Sequence, residues 1–235
     1  MEKAIGKKES GIASKLRKVL LVCGIIAPLL YFGTDMLAGM LYPGYSFTSQ
    51  AISELFAIGA PTSSLVVPLF TLCSMFGLAF AVGVWLSEAA AAASDGRNRL
   101  LRIMALMLAG NAINGLVLWN IFPMHMRGSE VTFTDTMHIT LAGTGVAFVV
   151  LALGIGIAVF RKRFRLYSIA TMVMLFAPGI MTFLSVLQVA AAAQSTTPWL
   201  GLEERISTYV YDLWQAVFVI ILLRGEKMLP QQIKA

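Results

Sequence analysis

Charge is scarce in this sequence: only 13% of its 235 residues are Asp, Glu, Lys or Arg, against 58% hydrophobic. A soluble domain carries about 25% charged residues to cover its surface and is about 45–50% apolar. A soluble globular fold is therefore excluded, and a chain that crosses a membrane several times is implied. Cysteine is nearly lacking as well. Cys23 and Cys73 both sit in apolar runs with no CxxC spacing and no histidine beside them, which excludes a disulfide framework and a zinc ribbon. The two histidines, His125 and His138, form no HExxH, and no GxSxG frames Ser46, Ser53 or Ser129. No metal or other cofactor is expected. Long basic stripes are missing too: lysine and arginine occur in short clusters beside apolar runs, where they orient a membrane chain, so nucleic acid is not an expected partner.

What is present is six apolar stretches, near 19–41, 63–86, 100–122, 137–160, 166–193 and 206–223. Each is long enough to cross a hydrocarbon layer of about 30 Å at about 1.5 Å per residue. The first is preceded by Lys15, Arg17 and Lys18, as in a signal peptide, but it is long, carries Asp35 and runs into Tyr-Pro-Gly without a small-residue cleavage site. It is expected to remain as an anchor. The fold class is thus all-α integral membrane: a six-helix transmembrane bundle over 19–223, a basic N-terminal tail over 1–18 and a C-terminal tail over 224–235. Of the 18 Lys and Arg residues, all except Arg127 and Arg205 fall in the segments on the N-terminal side of the bilayer. The positive-inside rule then predicts a multi-pass cell-membrane protein with both termini cytoplasmic.

With that orientation, polar side chains gather in the outer half. Asp35, Asn114, Gln188 and Asp212 lie about 8–12 Å from the outer ends of their helices, and His138 opens the fourth. Carboxylates at such depth normally face a bundle interior or a wet cavity. An outward-facing polar pocket is expected, with Asp35, His138 and Asp212 converging as its reactive group and Asn114 and Gln188 lining it. The segment "YPGYSFTSQAISELFAIGAP" joins the first two spans. Pro43 and Gly44 stop the first helix. Beyond them, Phe47, Ala51, Leu55 and Ile58 fall on one helical face, with Gln50, Ser53 and Glu54 largely on another. A short amphipathic interfacial helix is predicted, a lid that presents Ser53 and Glu54 to the pocket, with Arg205 as a further ligand-binding group at the rim. In the other outer loop Asp135 precedes His138 by one turn, so two imidazoles and a carboxylate are available, although their spacing diagnoses no metal site.

"YPGYS…AISELFAIGAP", "IFPMH…DTMH" and "GLEERI" before the last span resemble the signature positions of the prokaryotic membrane family catalogued as domain of unknown function 998, along roughly 20–223. The resemblance implies a six-helix fold and no particular activity. In that family the position after Phe-Pro-Met is commonly acidic, whereas here it is His125. The Ile-Ser-Glu…Gly-x-Pro segment also resembles a eukaryotic family of autophagy modulators and lipid-anchor remodelling factors.

Two functions stay open at this point. The outer pocket binds or senses a membrane lipid or other amphipathic ligand, or it is an intramembrane hydrolase or acyl-transfer site with His138 as base and Asp35 or Asp212 orienting it. A small-solute transporter fits less well, because the inner half offers no matching polar path and no inverted repeat is evident. Nothing in the sequence sets an oligomeric state.

Overall fold

A computed structural model of the chain describes residues 2–88, 95–192 and 197–224. Six helices account for most of them: α1 (Glu2–Leu41), α2 (Ser63–Glu88), α3 (Asp95–Ile121), α4 (Phe133–Val159), α5 (Lys162–Ala192) and α6 (Leu200–Leu223). All six are long and apolar enough to cross a membrane, so the protein is a multi-pass, all-α membrane protein. Between α1 and α2 lies one 3-10 turn, η1 (Ile52–Phe56). Every helix except α2 begins earlier than its apolar run suggests, and for two of them the structure shows why. α4 takes in Phe133–Thr136 because Asp135 accepts from the Thr132 amide at 2.9 Å, capping the free amides of a helix start. α6 takes in Leu200–Arg205, whose Arg205 is paired with Asp35 and whose Glu204 accepts from the Ile52 amide.

Neighbours in sequence are neighbours in space: each helix packs on the next, and α6 packs back on α1, closing a ring. The ring is unevenly filled. At the end where α4 turns into α5, Trp214, Phe218, Phe80, Phe160 and Phe164 form a continuous aromatic core reaching all six helices. Trp214 satisfies its indole N–H there by donating to Ser168 Oγ at 2.8 Å. At the η1 end a second core of Ala38, Ile52, Leu55, Phe56, Val66, Phe70, Cys73 and Leu118 comes from α1, α2, α3 and η1, with Leu141 of α4 packed against it.

At the same level, α4 and α5 leave much of their surface uncovered. Of residues 139–147 on α4 only Leu141 and Gly145 are shielded, and on α5 every described side chain of 176–184 except that of Pro178 is exposed. Open space surrounds Gly143 and Gly179 on the two helices. Pro178 sits at this point and removes one intrahelical hydrogen bond. The bundle is closed at the aromatic end and laterally open at the η1 end.

Candidate functional site: the polar groups beneath the η1 loop

The segment between α1 and α2 does not form the longer amphipathic helix that its pattern suggests, because its carbonyls are engaged elsewhere. Arg205 Nη1 donates to the carbonyls of Phe47 and Gln50 at 2.9 and 3.1 Å, and Arg127 Nη2 donates to that of Ser49 at 3.0 Å. Acceptors bound to guanidinium groups are withdrawn from an i→i+4 ladder, and only the five residues of η1 wind, with Glu54 accepting from the Ala51 amide at 2.9 Å. Ile52, Leu55 and Phe56 turn inward, Phe47 is half-buried, and Ile58 stays exposed.

Two ion pairs fasten this cap. Arg205 grips Asp35 through Nε and Nη2, at 2.9 and 2.8 Å, with both side chains almost fully buried. The bidentate geometry suits a pair removed from water. Tyr209 adds a hydroxyl donor to Asp35, Tyr45 accepts from Arg205 Nη2 at 2.7 Å, and the rings of Tyr45 and Phe47 lie against the guanidinium. Burial pushes the Tyr45 phenol well above its usual range, with Arg205 opposing. It therefore stays protonated and donates to the carbonyls of Gln50 and Ala51. With a further bond from Nη1 to the Gly201 carbonyl, every donor of Arg205 is engaged. The second pair joins Glu54 to Arg127 at 2.6 Å, and Arg127 Nη1 also reaches Thr197 Oγ1 at 3.0 Å. A backbone bridge between Ile58 and His125 ties the cap to the α3–α4 connection.

Below the cap, Tyr31 is the reference point. Glu204, Asp35, Asp212 and Tyr209, from α1 and α6, all act electrostatically on its hydroxyl. Glu204 accepts from the Ile52 amide at 2.9 Å. Asp212 has no hydrogen-bond partner among the described residues, and its Oδ2 is sealed from solvent. Protein desolvates Tyr31, Glu204 and Asp212, yet each keeps some accessible surface. Tyr31, Glu204 and Asp212 are thus half-buried. Beside them the packing is aromatic: Tyr31 stacks on Phe70 at 4.4 Å, and Phe70 meets Trp119, whose indole N–H has no partner among the described residues.

The expected convergence of Asp35, His138 and Asp212 divides. Asp35 and Asp212 share the Tyr31 neighbourhood, but His138 stands apart: its Nδ1–H donates to the Phe122 carbonyl at 2.8 Å, and its ring packs on Phe56. It makes no hydrogen bond to either carboxylate. Asn114 joins α3 to α4 by donating to the Leu141 carbonyl at 2.9 Å. Ser53 is half-buried on η1, Glu54 belongs to the cap's ion pair, and the side chain of Gln188 lies outside the described residues. His125 and Asp135 pair at 3.0 Å. Among the described residues no group of three or more His, Cys, Asp or Glu side chains is arranged to hold a metal. Sequence reasoning missed Tyr31, Tyr45, Tyr209, Glu204 and the role of Arg127. One signal pointed to the pairings: Arg127 and Arg205, the two cations set apart from the other sixteen, fall on the same side of the bundle as Asp35 and Glu54.

No curated protein and no solved structure matches the chain. Residues 25–221 match the family described as "Protein of unknown function (DUF998)", a match that takes in α2, α3, α4, α5, the cap and nearly all of α6. The chain therefore belongs to the DUF998 family.

Proposed function

We propose that this protein binds or senses an amphipathic molecule of the bilayer, held in the crevice beneath the η1 cap. The observation that carries the reading is the enclosed yet accessible set of Tyr31, Glu204 and Asp212 at the end of the bundle where α4 and α5 leave much of their surface uncovered. A membrane-embedded carboxylate without a partner is costly and marks a functional position by default. The open side faces the acyl chains, so the molecule that reaches this site is one already dissolved in the membrane. The charge distribution supports an outer-leaflet position, since all Lys and Arg except Arg127 and Arg205 belong to the opposite side.

Hydrolysis or acyl transfer has less support, because His138 is committed to a backbone carbonyl and does not meet Asp35 or Asp212. The test is lipid mass spectrometry on protein extracted in polymer-bounded native discs. A defined amphiphile should remain through delipidation at about one per chain and be lost faster from Arg127→Ala, in which the cap loses its tie to Glu54. Complete delipidation with no retained molecule and no change in thermal stability would remove this reading.

A further inference from the structure

We propose that the group recognised at Asp212 is a primary ammonium, and that the ligand is a single-chain lipophilic amine whose alkyl chain lies in the gap between α4 and α5. This rests on the binding role argued above and names its chemistry. The charges of the η1 end decide the sign. Asp35 is neutralised by Arg205 and Glu54 by Arg127. The donors of Arg205 all have acceptors already, so none is left to bond Glu204, which holds the Ile52 amide and feels Arg205 as well as Asp35 and Glu54. Asp212 receives no donor among the described residues. Among the described residues, neither Glu204 nor Asp212 is hydrogen-bonded by a cation. An anionic or zwitterionic phosphate head would be repelled there, whereas an ammonium brings both a charge of the required sign and N–H donors for the Asp212 oxygens.

The aromatic side chains point the same way. Asp212 acts electrostatically on the hydroxyls of Tyr31 and Tyr209. Aromatic side chains attract cations. A partly bare crevice also accounts for the phenols: Tyr209 is committed to Asp35, but Tyr31 makes no hydrogen bond among the described residues and is left to face a ligand. The gap explains the other half of the ligand. The stretches of α4 and α5 that border it carry exposed apolar side chains, Ile139 and Val146 on α4 and Phe176, Ile180 and Phe183 on α5. An alkyl chain can lie along them without leaving the hydrocarbon.

The test compares dodecylamine with dodecanol, which has the same chain and a neutral head, on the full chain in nanodiscs of a neutral phosphatidylcholine, by native mass spectrometry and thermal unfolding. Dodecylamine should bind at least about tenfold more tightly. In Asp212→Asn that preference should fall to about onefold while the protein stays folded. A diazirine-bearing amine should label 139–147 and 176–184. Equal binding of amine and alcohol, or a preference untouched by Asp212→Asn, would overturn the ammonium assignment and leave the general amphiphile site standing. Failure of both probes to bind would take down both.

Discussion

Asp35 and Arg205 stand 170 residues apart, each alone a liability in a membrane, and each is made tolerable only by the other. Removing one partner leaves a buried charge, so Arg205→Ala should lose about 3–5 kcal/mol, read as a lowered unfolding midpoint in detergent. Replacing both, as Asp35→Leu with Arg205→Met, should recover only part of that loss, because the carbonyls of Phe47, Gln50 and Gly201 would still lack their donor. Asp212 predicts the opposite sign. Its carboxylate has no partner, so Asp212→Leu should raise stability by about 1–3 kcal/mol while abolishing amine binding. A fall in stability would mean that Asp212 holds the fold together. These pairings show where sequence reading stops. That acids and cations sit at one depth is legible from helix periodicity, but whether Asp35 meets His138 or Arg205 depends on which faces of α1, α4 and α6 turn inward. Apolar residues all round each span hide that choice.

Existence and type of the six helices were legible, because length and apolarity alone decide them in a bilayer. The cap was legible as a segment set apart from both spans. Its conformation was not, since carbonyl-to-guanidinium bonds from Arg127 and Arg205 replaced local helical ones. Gly201 offers the sharpest test of how the cap sits on α6. A Cβ there would collide with the Gln50 carbonyl and come within 2.7 Å of that of Phe47, backbone atoms that cannot swing aside. Gly201→Ala, helix-favouring in itself, should therefore lift the cap. Hydrogen exchange at the amides of 50–56 should quicken by about tenfold or more, equivalent to about 1.4 kcal/mol of lost protection. Unchanged exchange would show the cap held without this close approach.

At the scale of the molecule, the arrangement joins a sealed end to an open one, and the direction in which it sits determines what the crevice meets. The sealed end carries Arg161, Lys162, Arg163 and Arg165 at the α4–α5 turn, whereas the η1 end has Arg127 and Arg205, both paired with carboxylates inside the protein. The positive-inside rule counts Lys and Arg rather than net charge, so the asymmetry felt during insertion is the sixteen-to-two split itself. In a background with Cys23 and Cys73 replaced by Ala, a cysteine at Ser129, on the η1-side connection, should react with an impermeant maleimide in intact cells. A cysteine at Lys162 should react only after permeabilisation. The reverse pattern would put the crevice in the cytoplasmic leaflet, and a ligand bound there would have to be drawn from that side. The assay separates orientation from binding, because the amine preference at Asp212 depends on charges inside the protein and holds whichever leaflet the crevice faces.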